Sequence, residues 1–131
     1  MINQIVVALG SNIDPEKNIA KAKQLLSEKF KIMASSRFSK TKPIGRIKQP
    51  DFLNGAVLLE TGLNFNELKN VFKSIESSLG RDKESEKFGP RTIDLDIIIW
   101  NKEIIDPDFY TRDYLKSMIL EIMPNLFVEK H

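Results

Sequence analysis

An α+β fold, with two helices on one face of an antiparallel sheet, follows from three features of this sequence. Apolar residues recur at helical spacing in two segments, near 15–29 and 64–80. Short apolar or alternating runs at 5–9, 31–39, 52–61 and 93–100 have strand character. Taken along the chain, these elements run β-α-β-β-α-β, the order of the ferredoxin-like split βαβ unit. In that sandwich both helices cover one face, and active-site loops lie over the other.

Each element has its own local justification. Ile5-Val6-Val7-Ala8-Leu9 is a buried strand closed by Gly10-Ser11-Asn12. Asp14 then supplies an N-cap and Pro15 the first helical position, with Ile19, Ala22, Leu26 and Phe30 forming the apolar stripe. A second strand is expected over Lys31–Ser39, where the alternation is weaker. Residues 40–51 hold two prolines and a glycine without periodicity, a long loop of the kind that is more often functional than idle. Phe52–Thr61 is the third strand: Leu53, Val57 and Leu59 share the core face, and Phe52, Asn54, Ala56 and Leu58 the other.

The second helix is marked most clearly. Asn64 and Glu67 make a capping-box pair, Leu63 and Leu68 a hydrophobic staple, and Gly80 a C-terminal stop. Between them Leu68, Val71, Phe72, Ile75 and Leu79 form one stripe. Residues 80–92 are a second polar loop, Ile93–Trp100 the fourth strand, and a short helix is expected around 112–122 before Pro124.

Composition bounds the chemistry. The 131 residues are 41% hydrophobic and 29% charged, the balance of one globular domain spanning 1–131. There is no cysteine, and the only histidine is His131. Disulfides, thiolate metal sites and cysteine nucleophiles are therefore excluded, and a Ser-His-Asp triad is not expected. No apolar run reaches the ~18–20 residues of a membrane span, and no basic n-region of a signal peptide precedes Ile5, so a cytoplasmic protein is expected. Net charge is +2, distributed unevenly: residues 1–65 carry 10 basic and 5 acidic groups, residues 66–131 carry 10 and 13. Lys40, Lys42, Arg46 and Lys48 crowd one stretch, which fits a solvated loop better than a nucleic-acid surface, because no aromatic groups are interleaved.

Asp94 and Asp96 are the most informative residues. On a strand they point to the same side, roughly 6–7 Å apart, while Ile93, Leu95, Ile97 and Ile99 would point inward. A solvent face would explain the alternation, but Ile98 and Trp100 continue the aspartate side, so that face is not simply polar. Two adjacent carboxylates on such a face repel unless a cation joins them, and oxygen-only ligation suits Mg²⁺ with substrate phosphates. The preceding loop, Gly80 to Arg91, places Arg81, Lys83, Lys87 and Arg91 among three acids, suited to a polyphosphate or to a salt-bridged solvent loop. Walker-type and Rossmann glycine patterns are absent. Phe52, Asn54 and Phe88 offer two aromatic surfaces and an amide, enough to stack a flat heterocycle and read its edge, or simply to anchor loops.

Together these segments resemble the 6-hydroxymethyl-7,8-dihydropterin pyrophosphokinase (HPPK) family. The matching pieces are Ala8-Leu-Gly-Ser-Asn12, Thr41-Lys-Pro-Ile-Gly45, Gln49-Pro-Asp-Phe-Leu-Asn54, Glu76 with Gly80-Arg81, and Phe88-Gly-Pro-Arg-Thr-Ile-Asp-Leu-Asp96, in family order across most of the chain. The resemblance implies transfer of pyrophosphate from ATP to the hydroxymethyl oxygen of the pterin, releasing AMP. It implies that Asp94 and Asp96 hold two Mg²⁺ ions, and that Arg81 and Lys83 come from a loop closing over the phosphates, beside Arg91. Glu76, Ile97 and Arg112 match nucleotide-contacting positions. Thr41, Ile44, Phe52, Asn54, Phe88 and Tyr114 match the pterin pocket. Pterin and ATP are thus the expected partners, with neither nucleic acid nor membrane.

Several positions depart from the family pattern. Lys83 stands where a second loop arginine is usual, Phe88 where tryptophan is usual and Phe52 where tyrosine is usual. Ile105-Asp-Pro-Asp-Phe-Tyr-Thr-Arg112 runs straight through a place where the family has a longer Pro-His segment. A nucleotide contact is thereby lost, and weaker ATP binding is expected. The alternative reading is a non-catalytic pterin- or nucleotide-binding relative that has lost part of its ATP site.

Overall fold

A computed structural model gives the fold and describes residues 1–43, 45, 48–80 and 90–127. The chain runs β1 (Asn3–Ser11), α1 (Pro15–Lys29), β2 (Lys31–Ser35), β3 (Ser39–Thr41), β4 (Phe52–Thr61), α2 (Phe65–Ser78), β5 (Asp94–Trp100), β6 (Glu103–Ile104), α3 (Asp108–Thr111) and α4 (Asp113–Ile122). The six strands form one sheet in the order β2-β4-β1-β5-β6, with β3 also paired to β4. Every pairing is antiparallel, so the ferredoxin-like α+β architecture holds.

β1 lies at the centre because it is apolar on both sides: Ile5, Val6 and Val7 are fully buried. Its odd residues Ile5, Val7 and Leu9 join Ile19, Ala22 and Leu26 of α1 and Leu68, Phe72 and Ile75 of α2 in one core. The α2 capping box forms as expected. The Asn64 side chain accepts the Glu67 N–H at 2.9 Å, and the Glu67 carboxylate accepts the Asn64 N–H at 3.0 Å. At the start of α1 the expectation is met only in part. Pro15 opens the helix, but Asp14 sits at the cap in the left-handed region, φ 43°, and its side chain makes no cap bond.

The strand expected over Lys31–Ser39 is two strands. At Ser36 the hydroxyl Oγ accepts the Ala56 N–H at 2.9 Å in place of a backbone partner. Two residues on, Phe38 lies flat against Gly55, where an added Cβ would meet its ring at 2.5 Å. The edge can therefore follow β4 only by stepping around that ring.

β5 also departs from simple alternation. Its register on β1 shifts between Val6, opposite Ile99, and Val7, opposite Ile97, so Ile98 is an extra, bulged residue. Beyond it the faces exchange. Ile98 and Ile99 enter the second core, while Ile97 and Trp100 pack on the first. The expected inward Ile99 and aspartate-side Trp100 are thus reversed; Trp100 instead contacts Phe65 of α2, ring centroids 6.0 Å apart.

The second core explains what covers the other face. Leu115, Met118 and Ile119 of α4, with Phe109 of α3, pack on Val6, Ala56 and Ile98. This closes one end of the face, and the end carrying Ala8, Gly10, Asn54, Asp94 and Asp96 is left as a hollow. Among the described residues no helix is long and apolar enough to cross a membrane.

Candidate active site

Strand register builds the hollow. Gly10 of β1 lies opposite Asn54 of β4 on one side and Asp94 of β5 on the other; Ala8 lies between Ala56 and Asp96 in the same way. At a strand spacing of about 4.8 Å, Asn54 and Asp94 face each other across about 10 Å of floor with almost no side chain in it. The absence of a side chain at position 10 keeps Asn54 in place, because an added Cβ would stand 2.6 Å from Asn54 Oδ1 and push that amide aside. The result is a cavity of about 360 Å³, within the usual range for a small-molecule site.

Thr41, Phe52 and Asn54 form the β3–β4 wall of this cavity, and the Asn54 amide donates to the Thr41 hydroxyl, which sets its orientation. Arg91, Asp94 and Asp96 form the β5 wall. Arg112 and Tyr114, at the α3–α4 junction, complete it. Arg112 donates to the Tyr114 hydroxyl at 3.3 Å and pairs with Asp108 at 3.4 Å. Burial acts against its charge, but the Tyr114 hydrogen bond and the carboxylates of Asp108 and Asp106 outweigh it and raise its pKa. Arg112 therefore stays cationic at any working pH.

Arg91 is almost wholly buried, its Nε 3.9 Å from Asp94 Oδ1 and its Nη1 donating to the Pro90 carbonyl. Asn12 holds its backbone. Asn12 Oδ1 accepts the Arg91 N–H at 2.9 Å, and the Asn12 N–H donates to the Arg91 carbonyl at 3.1 Å. The Asn12 amide also donates to Gln49 at 2.7 Å and to the Pro50 carbonyl at 3.0 Å. One buried side chain thus ties the 49–50 segment to the start of the aspartate strand, a role that the sequence pattern left unread.

A second cavity, about 430 Å³, lies outside the edge of β5, between α2 and residues 105–107. Glu76 and Ile97 line it, as does Asp96, which belongs to both cavities. Glu76, buried near the end of α2, accepts the Leu95 N–H at 2.9 Å and so ties α2 to β5. Because Leu95 directs its N–H away from β1, the strand period places the Ile97 N–H and carbonyl along the same edge.

The predicted residues therefore fall in two groups joined at Asp96. Arg112, matched to the nucleotide, lines the first cavity and not the second. Ile44, Arg81, Lys83 and Phe88 lie outside the described residues. Besides Asn12, the sequence reading missed Gly10 and Ala8 as the floor, which the register alone reveals, and Asp106 and Asp108 beside Arg112.

An antiparallel sheet that keeps one end of one face open, with an amide and two carboxylates across a glycine floor, defines a small α+β enzyme with its substrate site on the sheet. The family described as 7,8-dihydro-6-hydroxymethylpterin-pyrophosphokinase (HPPK) matches residues 6–124, and the chain belongs to it. It is 38% identical to the 2-amino-4-hydroxy-6-hydroxymethyldihydropteridine pyrophosphokinase of Bacillus subtilis (strain 168), over 93% of this chain and 79% of that protein. It is 35% identical to the protein of the same name from Aquifex aeolicus, over 93% and 81%. The folate synthesis bifunctional protein of Arabidopsis thaliana is 37% identical over 80% of this chain, which corresponds to 22% of its own length.

Proposed function

We propose that this chain, acting as one domain in the cytoplasm, transfers pyrophosphate from ATP to 6-hydroxymethyl-7,8-dihydropterin in folate biosynthesis. The hydroxymethyl oxygen loses its proton to solvent and bonds to the β-phosphorus, the bond from that phosphorus to the α–β bridging oxygen breaks, and AMP leaves with the bridging oxygen. The observation that carries this reading is the pair of cavities sharing Asp96. One has the amide and aromatic surface for a flat heterocycle, and the other borders a strand edge able to receive a nucleotide.

In the first cavity Asn54, steadied by Thr41, reads the hydrogen-bonding edge of the pterin, while Phe52 and Tyr114 border its rings. Ile44 and Phe88 are assigned to the same pocket from the family motif. The depth of the glycine floor allows the bicycle to lie against β1, with its hydroxymethyl group toward Asp94 and Asp96. In the second cavity Ile97 offers backbone groups to the base, and Glu76 holds the strand edge in place. Arg91 and Arg112, with Arg81 and Lys83 from the preceding loop, neutralise the triphosphate. This is catalysis by positioning, since both reacting groups are held across one carboxylate pair.

Asp94 and Asp96 fit a divalent cation. They are oxygen donors at alternate positions of one strand. Two carboxylates with phosphates completing the shell is how Mg²⁺ is usually held, and two ions are assigned here from the family resemblance. When bound, Mg²⁺ supplies charge neutralisation of the phosphates and lowers the pKa of an oxygen nucleophile.

The test is AMP release, followed with ATP, the pterin and Mg²⁺ all present and with each omitted in turn. AMP formed only with all three supports the transfer. Pterin binding without AMP would instead make the chain a binding relative.

A further inference from the structure

The second cavity contains an acid that the proposed function does not use. Asp106, half-buried in the connection from β6 to α3, lines it together with Phe65 and Ile105, two large apolar side chains left partly exposed there. Its Oδ1 accepts the Asp108 N–H at 2.9 Å, which fixes the carboxylate at the start of α3. Among the described residues no donor meets its other oxygen.

Position and chemistry together restrict what this oxygen can recognise. Asp106 accepts the Asp108 N–H, and Asp108 pairs with Arg112 at 3.4 Å on the wall of the first cavity, so Asp106 stands on the side of the second cavity nearest the phosphate-binding groups. A nucleotide with its base at Ile97 and its phosphates at Asp96 must pass its sugar between those points. An ionised carboxylate only accepts hydrogen bonds; it repels phosphate and pairs naturally with hydroxyl donors. Acidic side chains read ribose hydroxyls in this way in other nucleotide sites.

We infer that Asp106 reads the ribose hydroxyls of the nucleotide and makes the site selective for ribonucleotides. This rests on the proposed function for the nucleotide's orientation. It gives the short 105–112 segment a specificity-determining residue of its own.

The experiment compares ATP with 2′,3′-dideoxy-ATP, both as phosphate donors in AMP release and as ligands titrated calorimetrically with Mg²⁺ but without pterin. The wild-type chain is expected to favour ATP about tenfold in affinity and in kcat/KM. Asp106→Asn keeps a carbonyl oxygen for the Asp108 N–H, yet its NH₂ group cannot accept a hydroxyl hydrogen. The ratio should then fall to within about twofold of unity, chiefly through KM. Equal affinity of the wild type for both nucleotides, or undiminished selectivity in the variant, overturns the inference. Selective binding without AMP production overturns the proposed transfer and leaves this inference standing. Failure to bind either nucleotide overturns both.

Discussion

The two faces of the sheet are built by the same three strands and used in opposite ways. On the face toward α1 and α2, the odd residues of β1 are large and buried, and their neighbours on β4 and β5 match them in kind. On the other face, Val6 is packed under α4, but Ala8 and Gly10 leave the floor bare between Asn54 and the two aspartates. Leu9 and Gly10 are adjacent in sequence, and the strand period assigns one to stability and the other to space. The candidate site is a place where side chains were withheld from a surface already held flat by its opposite face.

If that division is right, substitutions on the open face should change chemistry far more than stability. Asp94→Asn and Asp96→Asn should each lower kcat roughly 100- to 1,000-fold. Asp94→Asn also weakens the pairing with the buried Arg91 and should lower the melting temperature by a few degrees, while Asp96→Asn should change it less. AMP release and calorimetry on the same preparations check both parts, and a variant retaining most of its rate would remove the metal assignment. The sharpest contrast lies between neighbours. Leu9→Ala should cost about 2–5 kcal/mol in denaturant unfolding while leaving the KM for pterin within about twofold. Gly10→Ala should cost far less stability but raise that KM about tenfold, because the new methyl group displaces Asn54 Oδ1.

How much of this was legible in advance differs between the two faces. Helix stripes, the Asn64–Glu67 box and the side assignment along Phe52–Thr61 were readable because each depends on residues near in sequence. The exchange of faces after Ile98 was not, since a bulge is decided by the register against β1 and leaves no trace in the alternation. Likewise the break at Ser36–Phe38 depends on Gly55, some twenty residues away. The candidate site divides the same way. Asp94 and Asp96 stand out by spacing, and the family motifs pointed to Thr41, Phe52, Asn54, Arg91 and Tyr114, which the fold gathers around one cavity. Gly10 and Asn12 show no such signal in the sequence beyond closing the first strand, because a floor and a tie exist only once strands distant in sequence are neighbours.

The smallest predicted effect tests whether the faces are independent. Asn64→Ala removes the side-chain half of the α2 capping box and should cost about 1 kcal/mol, a fall in melting temperature of roughly 4 °C. Glu76, which borders the second cavity, lies about 18 Å further along the same helix at 1.5 Å per residue, and its carboxyl group is anchored by the Leu95 N–H on the sheet. Fraying at the first turn therefore has no direct route to it, and the KM for ATP should stay within about twofold of wild type. A rise in that KM well beyond what the lost stability accounts for would mean that α2 moves as one body against β5. The helix face would then be part of the nucleotide site, and the division between a structural and a chemical face would fail at that edge.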